Sequence, residues 1–192
     1  ALKSLVSREV EFRPVLVGPM DVWKRHAEVL GIAGPTLTET DDLNEAGPDV
    51  PAVDDTAPGK RFDVRFGTVR PAAGSVAMGA VERAVDMCLS GAVDGMVTAP
   101  ISKEAVRLAG YEIPGHTEFI AERTGADSFA MMMVAEDLRV ALVTTHCPVS
   151  EVAARITPPA IEEKLRVLET TLRRDFGAAR PSIAVLGLNP HA

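Results

Sequence analysis

Three of the four histidines in this 192-residue chain lie in short, turn-forming motifs that follow apolar, strand-like runs. His116 stands in Pro-Gly-His-Thr-Glu, His146 in Thr-Thr-His-Cys-Pro and His191 in Leu-Asn-Pro-His. Imidazole is the commonest side-chain metal ligand and the side chain that titrates nearest to neutral pH. Because open α/β sheets build their sites where strands end, the pattern predicts chemistry at these three positions.

The motif around His116 has the features of an anion-binding helix start. Gly115 lets the backbone approach a ligand closely, and Thr117 is a natural N-cap for the helix that follows. Free N–H groups at such a start favour an anion, and the side chains of His116 and Thr117 could donate to a phosphate. A simple capped turn with a solvated histidine fits the same residues, so the motif alone leaves both interpretations open.

The other two histidines are candidate metal ligands. His146 follows an apolar strand, and its motif fits a metal ligand or a buried, hydrogen-bonded histidine equally well. Cys147 points to the opposite face and is interpreted as packing. His191 ends another strand-like run, and two histidines on separate strand ends can share one metal. No third ligand is evident, since His26 lies among core residues of the first predicted helix and is interpreted as structural.

Lys103 begins a predicted helix just after a predicted strand. The helix dipole disfavours a cation at that end, and local conflicts of this kind gather at functional sites. An exposed, solvated lysine is equally compatible with the sequence.

Composition narrows the class of protein. The chain is 46% hydrophobic and 24% charged, as in ordinary globular proteins. Its net charge of -7 argues against a broad nucleic-acid surface but leaves a small anionic substrate possible. No apolar run approaches the roughly 18–20 residues of a membrane span. The two cysteines, Cys88 and Cys147, suit a reducing compartment, so a cytoplasmic location is expected.

Strand-like and helix-like segments alternate along the chain. Strands are predicted at 13–18, 94–100, 129–134, 139–144 and 182–188, with a further one possible at 62–66, and helices at 20–30, 72–89, 101–109, 117–124 and 158–176. From about residue 34 to 60 the polar, Pro- and Asp-rich sequence predicts an irregular surface excursion. The alternation predicts an α/β fold whose mostly parallel sheet is covered by helices on both faces, with no evident internal domain boundary in residues 1–192.

Five motifs together resemble the 4-hydroxythreonine-4-phosphate dehydrogenase family of pyridoxal phosphate biosynthesis. They are Val97–Lys103, Gly115–Phe119, Leu138–Ala141, Thr144–His146 and Gly187–Ala192. Their order and spacing also match, and the resemblance covers nearly the whole chain, most weakly between Gly34 and Gly67. Five motifs in order are far more specific than any one of them.

The resemblance implies a fold similar to the isocitrate and isopropylmalate dehydrogenases, and a homodimer whose site draws on both subunits. It implies oxidation of a secondary hydroxyl of 4-phosphohydroxy-L-threonine with NAD or NADP and a divalent metal such as zinc, magnesium or cobalt. The resulting β-keto acid then loses carbon dioxide to give an aminoketone phosphate. By motif, His116 and Thr117 bind substrate, His146 and His191 are two of three histidine metal ligands, and Lys103 is a candidate catalytic residue near the substrate.

Two departures from the family pattern qualify this assignment. The family's opening segment is absent before Ala1, and its third metal ligand and its nucleotide contacts are expected beyond Ala192. The chain is therefore expected to be a fragment with negligible turnover alone. Paralogous dehydrogenases of phosphorylated threonate or erythronate, or of a cis-dihydrodiol, are the nearest rivals. A non-catalytic module that binds a phosphometabolite at Gly115–Thr117 is the rival from another class.

Overall fold

The computed structural model describes residues 12–32, 37–39 and 51–190. Contacts divide the chain into two compact units, Ala1–Thr124 and Gly125–Ala192, called here the first unit and the second unit. None of the helices in the described ranges combines the length and the apolar character that crossing a membrane requires. Both units contain helices and strands, so the fold class is α/β.

A small parallel sheet lies at the centre of the first unit. Strands β1 (Val15–Val17), β2 (Thr38–Glu39) and β3 (Ala52–Asp54) pair in the order β1-β3-β2. In the central strand β3, Ala52 is 1% exposed and Val53 is completely buried. Burial of this kind on both faces is typical of parallel strands.

The stretch from about residue 34 to 60, which the sequence predicted to be an irregular surface excursion, contains strand β3. The most buried strand of the described residues lies inside it, and the preceding Pro51 is buried as well. The polar, Pro- and Asp-rich sequence around β3 conceals its short apolar run. Residues 33–36 and 40–50 of this stretch lie outside the described residues.

Four helices complete the described part of the first unit, and they agree with the predicted ones to within a few residues. They are α1 (Met20–Val29), α2 (Pro71–Leu89), α3 (Lys103–Leu108) and α4 (His116–Thr124). Helix α2 opens with proline in its first turn, where the missing N–H costs nothing. Its buried face, which includes Met78 and Val85, supplies much of the core.

Helices α2 and α3 approach each other closely at Gly74. A methyl group on the Cα of Gly74 would collide with the backbone of Ala105 and Val106, and it would lie 2.8 Å from the Val106 nitrogen. Ala105 and Val106 are 3% and 2% exposed. Glycine at this position therefore sets where α3 lies, and with it the position of Lys103 at the start of α3.

The second unit contains a hairpin and two helices among its described residues. Strands β4 (Met131–Ala135) and β5 (Leu138–Leu142) pair antiparallel, and helices α5 (Val149–Arg155) and α6 (Pro158–Arg174) follow. The side chain of Thr157 accepts a hydrogen bond from the Ala160 N–H and caps α6. The sequence predicted α6 and both strands but not the short helix α5.

Of the expected single, mostly parallel sheet, the described residues form a three-stranded parallel part, β1-β3-β2, whereas β4 and β5 form an antiparallel pair. Glu136, with φ +50°, and Asp137 link β4 to β5, and so short a link joins only antiparallel strands. The runs at 62–66, 94–100 and 182–188 pair with no strand in the described ranges. Val97 and Leu186, in the last two runs, are 101% and 87% exposed. A strand needs a neighbour for its backbone hydrogen bonds, so a strand-like sequence alone does not make one.

Burial is distributed unevenly between the units. Every fully buried side chain of the described residues belongs to the first unit, and residues 125–190 contain none. In the β4–β5 hairpin, the apolar side chains of Met133, Val134 and Leu138 are more than half exposed. The described core of the molecule is therefore the core of the first unit.

Candidate active site at the start of helix α4

Helix α4 begins at His116, and the residues around its first turn form the candidate site. The carbonyl of Gly115 accepts a hydrogen bond from the Phe119 N–H at 3.4 Å, so Gly115 rather than Thr117 precedes the helix. Thr117 instead lies in the first turn, which corrects its expected role as N-cap. The N–H groups of this turn have no partner within the helix, and together with the helix dipole they favour an anion.

The ring of His116 carries the clearest sign of a missing ligand. Its Nε2 atom is closed to solvent and has no hydrogen-bond partner, although the residue as a whole is half-buried. Leaving such a group unpaired costs about 1–3 kcal/mol, and nearly all buried polar groups in proteins avoid it. A ligand that bonded to Nε2 would remove this cost.

Lys103 lies beside the same turn, across Gly115. A methyl group on the Cα of Gly115 would lie 4.0 Å from Lys103 Nζ and 3.4 Å from Glu118 Oε2. Ser102 caps α3 by accepting a hydrogen bond from the Ala105 N–H at 3.2 Å, which fixes the residue before Lys103. The structure thus brings the lysine and the His116 turn together, as a shared site requires.

Two contacts hold α4 in place. Arg123, in its last turn, donates to both carboxylate oxygens of Asp86 on α2 at 3.0 Å. Near its start, the ring of Phe119 packs edge-on against Tyr111, with centroids 6.5 Å apart. Burial, followed by the nearby carboxylate of Glu82, raises the pKa of Tyr111, so its phenol stays neutral. The carboxylate of Asp86 raises the already high pKa of Arg123, which therefore stays charged.

His146 belongs to the second unit, in the loop between β5 and α5. Its side chain is exposed, which removes the alternative of a buried, hydrogen-bonded histidine. Its backbone has φ +52°, a left-handed conformation that is uncommon outside glycine, and such residues cluster at functional sites. Cys147 beside it is a half-buried, free cysteine.

Of the two expected metal ligands in this chain, the structure describes only His146. His191 lies outside the described residues. Across ranges 12–32, 37–39 and 51–190, no three His, Cys, Asp or Glu side chains converge closely enough to hold a metal ion. The pairing of His146 with His191 therefore remains a prediction.

A separate cleft of about 660 Å³ opens where β1 and β3 end, which the sequence did not indicate. Both arginines in its lining are paired: Arg83 with Asp54, at 2.6 Å for the shortest contact, and Arg123 with Asp86. These pairs join α2 to β3 and to α4. Their arrangement supports a structural role for this wall of the cleft.

A comparison with known protein families shows to which of them the chain belongs. The model of the pyridoxal phosphate biosynthetic protein PdxA matches residues 11–192. The chain belongs to the PdxA family.

Curated PdxA relatives carry the name that the motifs suggested. A 4-hydroxythreonine-4-phosphate dehydrogenase from Bacteroides thetaiotaomicron is 40% identical over 184 residues, which is 93% of this chain and 49% of the relative. The chain spans about half the length of the relatives it matches. The PdxA family is that of an oxidoreductase, in agreement with the enzyme class expected from the sequence.

Solved structures of related dehydrogenases share the fold of this PdxA chain. The 4-hydroxythreonine-4-phosphate dehydrogenase from Klebsiella pneumoniae superposes with a TM-score of 0.85 at 34% identity, covering 95% of this chain and 56% of that one. A terephthalate 1,2-cis-dihydrodiol dehydrogenase from Burkholderia xenovorans superposes with a TM-score of 0.61 at 25% identity, covering 92% and 53%. Neighbours of this PdxA chain therefore include enzymes named for two kinds of substrate.

The sequence indicated Lys103, His116 and Thr117 in this PdxA chain but missed Glu118. An acidic residue in the first turn of a helix is usually assigned to the helix dipole. The sequence offers no sign that its carboxylate lies across Gly115 from Lys103, because that proximity depends on the packing of α3 near α4.

Proposed function

We propose that the full-length protein, meaning this chain with any residues that adjoin it, oxidises 4-phosphohydroxy-L-threonine in pyridoxal phosphate biosynthesis. A hydride passes from the secondary hydroxyl carbon to NAD or NADP, and the hydroxyl proton is released. The β-keto acid so formed loses carbon dioxide and takes up a proton, which leaves an aminoketone phosphate. Membership of the PdxA family and the names of its relatives support this reaction.

The observation that carries the proposal is the buried, unpartnered Nε2 of His116 beside Lys103. Phosphate is a strong acceptor of hydrogen bonds, and charge-assisted bonds to it are about twice as strong as neutral ones. His116 would donate from Nε2, Thr117 from its hydroxyl and the backbone of the first turn from its free N–H groups. Lys103 would add the positive charge that a phosphate needs.

The metal would be held by His146 and His191, with a third histidine from outside this chain. When bound, zinc, magnesium or cobalt lowers the pKa of the substrate hydroxyl and stabilises the alkoxide that develops. The exposed side chain of His146 is free to turn toward such a partner. The nucleotide contacts, a homodimer with a shared site, an isocitrate dehydrogenase-like sheet and a cytoplasmic location belong to the same proposal.

An assay of the full-length protein tests the reaction. The protein is mixed with 4-phosphohydroxy-L-threonine and NAD or NADP, after chelation and again after adding each of the three metals. We expect reduction of the nucleotide that chelation abolishes and metal restores, with negligible turnover by residues 1–192 alone. His146→Ala should lose both bound metal and activity. Absence of turnover with every metal and nucleotide would contradict the proposal, and phosphate binding without turnover would favour a non-catalytic module.

A cis-dihydrodiol is a second candidate substrate, favoured by the likeness to the Burkholderia xenovorans enzyme. The two candidates differ in the phosphate. Inorganic phosphate should compete with 4-phosphohydroxy-L-threonine at the His116 site but not with a dihydrodiol, which carries no phosphate. The same assay, extended to phosphorylated threonate and erythronate, ranks the remaining paralogous substrates.

A further inference from the structure

We propose that Glu118 is a positioning residue whose carboxylate attracts the ammonium group of Lys103 toward the His116 turn. The proposal rests on the proposed function, because it assigns Glu118 to the same phosphate site. Glu118 would not touch the substrate; it would act through Lys103.

The geometry around Gly115 carries this inference. A single point above its Cα lies 3.4 Å from Glu118 Oε2 and 4.0 Å from both Lys103 Nζ and Lys103 Cε. The carboxylate and the ammonium therefore flank the same small space. A methyl group there would make ordinary van der Waals contacts with both side chains.

The helix explains why the carboxylate reaches this place. Side chains on an α-helix tilt toward its N-terminus, so a residue in the first turn covers the backbone that precedes the helix. Glu118 is the third residue of α4 and is half-buried there. Its side chain is thereby directed back over Gly115 rather than out along the helix.

Lys103 needs such a partner. It is exposed, it begins a helix whose dipole disfavours a cation, and its long side chain has many rotamers to lose. A carboxylate across Gly115 attracts the ammonium toward the His116 turn and reduces the freedom that would otherwise be lost on binding. The preorganised lysine would then bind a phosphate more tightly.

The direction in which loss of the Glu118 charge changes phosphate affinity distinguishes this role from a structural one. A carboxylate close to a phosphate repels it, so Glu118 can help binding only through its attraction for Lys103. If Glu118 acts through Lys103, removing its charge should weaken phosphate binding when the lysine is present. Once the lysine is gone, the same change should be neutral or favourable. A role in stabilising α4 alone predicts the same loss in both backgrounds.

The test is a double-mutant cycle in the full-length protein, with Glu118→Gln, Lys103→Met and the double variant. The readouts are KM and kcat for 4-phosphohydroxy-L-threonine, and the Kd of inorganic phosphate measured by calorimetry. We expect Glu118→Gln to raise KM and Kd about tenfold with kcat within about twofold. Glu118→Asp should recover part of the loss. In the Lys103→Met background, Glu118→Gln should leave KM and Kd unchanged or lower them.

Glu122→Gln is the matched control, because Glu122 is an exposed glutamate on the same helix, and it should change neither constant. Equal losses from Glu118→Gln with and without Lys103 would overturn the inference. The proposed function fails separately, when the wild-type protein does not turn over the substrate. In that case the cycle in the Kd of inorganic phosphate still decides the role of Glu118.

Discussion

At the scale of single residues, two histidines of the first unit differ in the hydrogen bonding of their ring nitrogens. His116 has a buried Nε2 without a partner, which costs about 1–3 kcal/mol in the unliganded protein. The Nδ1–H of His26 donates to the Val22 carbonyl at 2.8 Å, and its ring packs edge-on against Phe66. The same substitution should therefore affect the two positions differently.

Replacing His116 with phenylalanine keeps the bulk of the ring and removes the unpaired nitrogen. We expect the free energy of unfolding to stay within about 1 kcal/mol of wild type, or to rise, while kcat/KM falls about 10- to 100-fold through the lost bond to phosphate. His26→Phe should instead lower the free energy of unfolding by about 1 kcal/mol and leave kcat/KM unchanged. Urea unfolding and steady-state kinetics measure both. A destabilised His116→Phe with full activity would show that Nε2 has no ligand.

At the scale of helices, two glycines in α2 test how that helix positions the site. Gly74 abuts the backbone of α3, whereas nothing lies within 4 Å of a methyl group built on Gly79. Both residues are inside the same helix, where alanine is the better helix former by about 1 kcal/mol. Comparing alanine substitutions at the two positions therefore separates the effect of close packing on the free energy of unfolding from that of helix propensity.

Gly74→Ala is expected to lower the free energy of unfolding by about 1–3 kcal/mol, because the clash is with backbone that cannot turn aside. It should also raise KM, since α3 and Lys103 must move. Gly79→Ala should stabilise the protein by about 0.5–1 kcal/mol. Thermal unfolding and substrate kinetics of both variants check this. If the two substitutions had equal effects, the contact at Gly74 would not set the position of α3.

The helices were the most predictable elements, and the reasons are local. The apolar stripe of α2, its opening proline and the glycine after it mark its ends in the sequence. The contact of Gly74 with Ala105 leaves no such mark, because it joins residues of different helices. Strand-like residues 94–100 failed for the complementary reason that a strand is defined by its neighbour.

At the scale of the whole molecule, fully buried side chains are confined to the first unit among the residues that the structure describes. Met78, Val53 and Val85 have almost no exposed surface, whereas the β4–β5 hairpin exposes apolar side chains such as Leu138. Regions with few buried contacts open locally at low free-energy cost. The two units should therefore differ in how readily they open.

Hydrogen exchange of the 192-residue chain should reveal this difference. We expect amides of α2 to exchange slowest and those of β4 and β5 to exchange at least about 100-fold faster, since a hairpin with few buried side chains opens at low free-energy cost. Mass spectrometry of peptides from each element gives the measurement. Equal protection of the hairpin and α2 would contradict the expected difference.

Family membership was predictable from motifs, and the site from them only in part. The residues of the His116 turn are contiguous, so the sequence indicates their proximity directly, and their function stays a prediction. Glu118 and Lys103 become neighbours through the packing of α3 near α4, and β3 is concealed by the polar residues around it. Sequence patterns identify residues that recur periodically or lie next to one another, whereas packing decides which distant residues become neighbours.

The concentration of the described core in the first unit also has a consequence for how the protein is made. Translation proceeds from the amino terminus at about 5–20 residues per second. Residues around Met78 and Val53 leave the ribosome several seconds before the β4–β5 hairpin, so the first unit has time to fold while the second is still being synthesised. Among the described residues, the nascent segment that most needs a chaperone would then be the exposed, apolar hairpin.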